Sequence, residues 1–242
     1  MTTPTNSGDS AALKLLTSNA MRTTLSRLIP QFERESGHSV SIAYDLADVI
    51  AQRVLEGEAG DVVLVNAEAI TELVKNGRVA AGSQATLAQA GVGVAVRAGA
   101  PRPDIGNVDA LRHALLAAKS IAYTSAGASG IYFARLIERL GITAEVKAKA
   151  FTRPSGIIGK YVADGSAEIA IQHVPQLLEV SGIDYLGPLP QELQKSTVVA
   201  AGILTQTTQP AAAQALFGFL ASPAGAQHFK ATGYDIDNPQ TP

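Results

Sequence analysis

The chain has 242 residues, 46% of them hydrophobic and 17% charged, a balance that allows a sizeable core in one large α/β unit or two lobes. A formal net charge of -2, with no Lys/Arg cluster, excludes nucleic acid and anionic membrane surfaces as partners, because both demand concentrated positive charge. The absence of cysteine excludes disulfides, thiolate zinc sites and thiol nucleophiles.

Residues 1–10 (MTTPTNSGDS) are polar and lack the basic and apolar regions of a secretory leader. The protein is therefore expected in the cytoplasm, or in the periplasm if a leader was removed from this chain. No apolar run is long enough to span a bilayer, so no direct membrane insertion is expected. Residues 1–10 and 237–242 are expected to be flexible tails.

After the leader, β-type runs alternate with helical patterns. Ala12–Leu16 is a short apolar run, and Ala20–Glu35 spaces Met21, Leu25, Leu28, Ile29 and Phe32 at helical intervals. Val40–Tyr44 reads as a strand, Val49–Glu56 as a helix, Asp61–Val65 as a buried strand, and Ala67–Asn76 as a helix stopped by Gly77. This rhythm predicts βα units on mainly parallel sheets.

Two long β-type runs, Gly91–Arg97 and Thr197–Leu204, interrupt it. Between them lie further strand patterns at Ser120–Tyr123, Glu145–Ala150 and Glu168–Gln172, with helices at Ile131–Leu140 and Ile157–Ala163. We expect one lobe from residues 11–91 plus 197–242 and a second from 92–196, with the two long runs crossing between them. Helices Pro210–Leu220 and Pro223–Thr232 complete the first lobe.

In open α/β sheets, ligands sit at the carboxyl ends of strands, where helix N-termini present unpaired N–H groups. Five strand-to-helix junctions are candidates: Thr17-Ser18-Asn19, Tyr44–Asp48, Thr124–Gly130, Thr152–Gly156 and Gln172–Pro175. Each alone reads as helix capping before it reads as a ligand site. Their concentration points to an anion-binding cleft. Gly127 and Gly130 allow close backbone approach, Ser125, Ser129 and Ser155 offer hydroxyls, and Arg153 offers a fork that matches a carboxylate or phosphate. Thr17, Ser18, Asn19, Tyr44, Ala126, Gly130, Gly156 and His173 complete the candidate ligand-binding set. The glycine loop is neither a Walker A loop nor a dinucleotide fingerprint, and four scattered histidines make a poor metal site. No cofactor and no metal are expected. His173, at a strand end, is either a hydrogen-bonded, partly buried ring or an acid–base group titrating near neutral pH.

The stretches LLTSNAMRTTLSRLIPQFERESG, IAQRVLEGEAGDVVLVNAEAITELVKNGRV, GSAEIAIQHVPQLLEVSGIDYLGPLPQELQ and PAAAQALFGFLASPAGAQHFKATGYDI resemble, in order, the periplasmic molybdate-binding component of ABC transporters. The resemblance implies the type II periplasmic-binding-protein fold: two α/β lobes joined by two crossing strands, with an anion between them. It also implies a membrane component of an ABC transporter as partner. Ser18 matches the first binding serine of that family. The second has no counterpart in Tyr44–Asp48, and His173 stands where the family has a tyrosine. These departures point to a larger carboxylate in place of molybdate. Relatives of the group described as aconitate isomerases imply a second possibility, a cofactor-independent double-bond shift in a tricarboxylate with His173 as base or acid. Two readings therefore stand: a solute-binding protein for a di- or tricarboxylate and, as the alternative, an isomerase on the same scaffold.

Overall fold

The computed structural model describes residues 11–236, and the two expected tails lie outside the described residues. The chain runs β1 (Leu13–Ser18), α1 (Arg22–Ser36), β2 (Val40–Asp45), α2 (Ala47–Leu55), β3 (Val62–Asn66), α3 (Ala67–Lys75) and β4 (Val79–Ala90). It continues with β5 (Val92–Arg97), α4 (Val108–Ala117), β6 (Ile121–Thr124), α5 (Ala128–Arg139), α6 (Thr143–Lys147), β7 (Ala150–Arg153), α7 (Gly159–Ala163), β8 (Ile169–His173), α8 (Val174–Leu178) and β9 (Ile183–Pro188). It ends with β10 (Thr197–Leu204), α9 (Pro210–Leu220) and α10 (Pro223–Ala231).

These strands form two five-stranded sheets of the same design, in the orders β2-β1-β3-β10-β4 and β7-β6-β8-β5-β9. In each sheet a parallel trio is followed by one reversed strand, β10 or β5, and then by a strand running with the trio. Four strands of each sheet therefore point the same way.

Both faces of each sheet are buried, which is why the strands read as nearly continuous apolar runs. In β3, Val62 and Leu64 face the core under α1, α9 and α10, while Val63 and Val65 face the one under α2 and α3. In the second sheet one face is bulky, with Val92, Val94, Ile121, Ile169 and Ile171. The other is lined by Ala95, Ala122 and Ala170, small enough to let Ile158, Val162 and Leu177 pack closely. Pro30 lies inside α1, where it removes one backbone donor, yet the helix continues. Leu25, Leu28, Ile29 and Phe32 are buried on one face and hold it to the sheet.

Three segments differ from the sequence expectation. Glu145–Ala150 is not a strand; α6 ends at Lys147, and the strand starts at Ala150. The twelve-residue β4 carries mostly Ala, Gln, Ser and Gly, which have weak strand preference, and is specified by its pairing with β10. β5 and β10 occupy the two expected crossing segments, but each pairs within one sheet only. The chain changes sheet just before them, at Gly91 and through residues 189–196.

The two passages are tied together. Gln194, in the second, accepts from Val92 N at 2.8 Å and donates to Val92 O at 2.9 Å, next to the first. Gly91 permits this approach, since a Cβ there would lie 3.1 Å from Gln194 Nε2. Replacing Gln194 with Ala leaves Val92 N–H without its partner. We expect Gln194→Ala to lower unfolding free energy by about 1–3 kcal/mol, read by urea denaturation.

Candidate functional site

Between the lobes lies a cleft of about 350 Å3, within the usual range for small-molecule sites. Several helices begin at its walls. From the first lobe come the turn Asn19–Met21 leading into α1, then α2 and α3; from the second come α5 and α8. They are not electrostatically equal. The first turns of α2 and α3 contain Asp48 and Glu68, which satisfy those helix dipoles from within. The Asn19–Met21 turn and α5 have no acidic residue in the first turn and no side-chain cap bond, so their N–H groups remain open to an external anion.

The α5 end is the most pronounced. Thr124, at the end of β6, is 3% exposed, and its Oγ1 is buried without a hydrogen-bond partner. A Cβ on Gly130 would lie 1.6 Å from Thr124 O, and one on Gly127 2.6 Å from Thr124 Oγ1. Both glycines are thus required for the helix to seat on the strand end. Opposite, Gln172 Oε1 accepts from Ile158 N at 2.8 Å and Gln172 Nε2 donates to Gly156 O at 2.7 Å, fixing the Ser155–Gly156 loop.

Among the residues expected from the sequence, Ser18 and Asn19 line the cleft from one lobe. Ala126, Ser129, Ser155, Gly156 and His173 line it from the other. Five expected residues do not line it. Thr17 is fully buried and its hydroxyl donates to Leu64 O at 2.7 Å, bracing β1 on β3. Tyr44 packs on the first-lobe core under the Arg22 guanidinium, 4.0 Å from its ring centroid. Ser125 is exposed, and its N–H is bonded to Arg153 O at 2.7 Å. Gly130 lies beneath the helix against Thr124. Arg153 stacks over Phe151 and Tyr161, 4.5 and 5.3 Å from their centroids, and donates to Thr152 O, so the aromatic faces hold the expected counter-ion outside the cleft.

Sequence reasoning passed over other lining residues: Asn66, Glu68, Gln176, Arg135 and Lys195. Arg135 sits two turns into α5, away from the junction that drew attention, and Lys195 is in the second passage between lobes. Asp45 and Asp48 also line the cleft, and Asp45 is engaged by Arg53 Nη1 at 3.4 Å. Among the described residues no three His, Asp or Glu side chains cluster as a metal site would need.

His173 caps the start of α8, is 8% exposed, and places Nε2 2.9 Å from Thr197 Oγ1 on β10. It thereby joins the two lobes at the cleft floor. Burial pushes its pKa down from 6.5 to about 4, so the ring is neutral at pH 7, in line with the buried, hydrogen-bonded alternative of the two read from the sequence. The folded protein holds this proton more weakly than the unfolded chain. The resulting stability is complete above about pH 6.5 and is lost as pH falls towards 4. We expect His173→Gln to abolish about 3 kcal/mol of the acid-side loss of stability between pH 6.5 and 4, measured by denaturation at several pH values.

Residues 13–235 match the family described as bacterial extracellular solute-binding protein. The chain is 35% identical over 227 residues to an aconitate isomerase of Pseudomonas sp., covering 91% of this chain and 86% of that protein. Its fold is that of the periplasmic molybdate-binding protein of Azotobacter vinelandii, with a TM-score of 0.76, 22% identity, and coverage of 94% of this chain and all of that one. The sulfate-binding protein SubI of Mycobacterium tuberculosis is similar at a TM-score of 0.74 and 18% identity, covering 94% and 88% of the two chains. No helix among the described residues is long and apolar enough to cross a membrane. With two four-plus-one sheets around a cleft and a family match across nearly its whole length, the chain belongs to the bacterial extracellular solute-binding proteins and has the type II periplasmic-binding-protein fold.

Proposed function

We propose that the cleft binds a small di- or tricarboxylate, held at the α5 N-terminus. The observation that carries this reading is the buried, unpartnered Thr124 Oγ1 beside N–H groups that have neither a side-chain cap nor an acidic neighbour. A carboxylate there accepts from the hydroxyl and the helix end together. The 350 Å3 volume leaves room for a ligand longer than one tetrahedral oxyanion, and Asp45 and Asp48 stand in the loop where the resemblance calls for a serine. In keeping with the family, we place the protein in the periplasm, where it hands its ligand to the membrane component of an ABC transporter.

A second reading, isomerisation, is favoured by the 35% identity to a protein named aconitate isomerase. In an unsaturated tricarboxylate of the aconitate type, a base removes a proton from the methylene beside the double bond. The electron pair delocalises into the carboxylates, and a proton returns at the former alkene carbon, so the double bond moves and atoms balance with no cofactor. His173 is the acid–base group we assign. Its neutral ring can accept a proton, and bound carboxylates favour the protonated form.

Calorimetric titration with citrate, cis-aconitate, trans-aconitate and molybdate tests the binding reading, which fails if molybdate binds tightly and no carboxylate does. Thr124→Val should raise the melting temperature of the ligand-free protein, since it removes an unsatisfied buried hydroxyl, while weakening carboxylate binding roughly tenfold. Incubation with aconitate in deuterated water tests isomerisation. Deuterium uptake with isomer exchange is expected, reduced roughly 100- to 10,000-fold in His173→Gln. Absence of conversion leaves binding alone.

A further inference from the structure

The cleft contains two cations with no role so far. Arg135 and Lys195 are both exposed and both line it, and neither side chain makes an ion pair or hydrogen bond among the described residues. Cations left unpaired while facing a cavity are available to a ligand, and the backbone that carries these two is braced. Tyr132, three residues before Arg135, donates its hydroxyl to Leu193 O, which ties α5 to the second passage between the lobes. Lys195 follows Gln194, whose Oε1 accepts from Lys195 N at 3.1 Å and from Val92 N at 2.8 Å. Helix α5 and the second passage thus form one braced wall.

Along α5, Arg135 lies roughly 10 Å from Ala128, at 1.5 Å rise per residue. Helical side chains lean towards the N-terminus, so Arg135 is directed along the cleft wall towards the open end of α5. The acids Asp48 and Glu68 stand at the helix starts of the other lobe and repel an extended polyanion towards this wall.

We propose that Arg135 and Lys195 form a second anion subsite, which takes the distal carboxylates of a ligand whose first carboxylate sits at the α5 N-terminus. The inference rests on the polycarboxylate reading and deepens it: the two cations select by ligand length. A compact tetrahedral oxyanion at Thr124 is too short to engage them, whereas a dicarboxylate reaches one and a tricarboxylate both.

Tricarballylate, a saturated tricarboxylate that has no double bond to shift, is the probe. Titration calorimetry is run on the native protein and on Arg135→Gln, Lys195→Gln, Arg135→Lys and the double variant Asp48→Asn/Glu68→Gln, with thermal melts to confirm folding. Each loss of a cation should weaken tricarballylate roughly ten- to hundredfold, Arg135→Lys should recover part of the loss, and the acid-to-amide variant should bind as well as native or better. If the native protein binds neither tricarballylate, citrate nor aconitate, the polycarboxylate reading falls and takes this inference with it. If it binds and the Gln variants match it, only the subsite is overturned. An equal loss in the acid-to-amide variant would also overturn it, showing that the cations pair with Asp48 and Glu68 across the cleft.

Discussion

Each sheet depends on one reversed strand that enters directly from the opposite lobe. β5 starts one residue after β4 leaves the first sheet, and β10 starts after the chain has come back from β9. Both insertions run antiparallel to their neighbours, so both passages between lobes begin at strand ends that face the cleft. The contacts made there follow from this arrangement. Gln194 bonds to Val92 across the passages, Val174 N donates to Gly91 O, and His173 meets Thr197. A side-chain amide thus ties the two passages together and holds the lobes in register. The cleft floor is therefore also where the lobes are joined.

The same topology brings the carboxyl ends of both parallel trios to the cleft, and with them the helix N-termini. Parallel βα units alone would make every such end an anion site. The chain discriminates among them with short-range chemistry: Asp48 and Glu68 neutralise two helix starts, Asn66 also caps α3 through Ala69 N at 2.8 Å, and α5 is left open over an unpartnered hydroxyl. The opposite wall adds Ser18 and Asn19 as neutral donors.

How far this was legible in the sequence differs by element. Strands such as β3 and β8 are buried on both faces and announce themselves as apolar runs, and α3 ends at the glycine that its pattern anticipates. β4 could not be read, because its Ala- and Gln-rich segment is a strand only through its partner β10. The junctions were found, but which residue of each faces the cleft depends on the strand pleat and on tertiary partners. Thr17 and Ser18 are adjacent, yet one hydroxyl is bonded to Leu64 O and the other side chain faces the cleft. Arg153 has the right charge beside the right loop, but Phe151 and Tyr161 capture it. Arg135 was hidden because it stands a helical distance from the glycine loop, where only the folded α5 shows it on the cleft side.

Binding and isomerisation ask different things of the same cleft. A binder needs donors that match the ligand anion, and these are supplied by backbone and hydroxyl groups that do not change protonation near neutral pH. A proton shift needs, in addition, a group whose proton affinity rises when substrate arrives. In the isomerase reading proposed above, His173 is the group given that task, because its burial keeps it neutral without ligand. Without ligand, desolvation holds its pKa at about 4 and the ring stays neutral. In that reading, a polycarboxylate seated beside it would supply the negative charge that favours the imidazolium, while Thr197 keeps the ring oriented through Nε2. A buried histidine at the floor of an anion cleft can therefore be neutral in the empty protein and basic in the loaded one. The step from carrier to catalyst then requires no new architecture, only a ligand with an acidic carbon–hydrogen bond placed within reach of that ring.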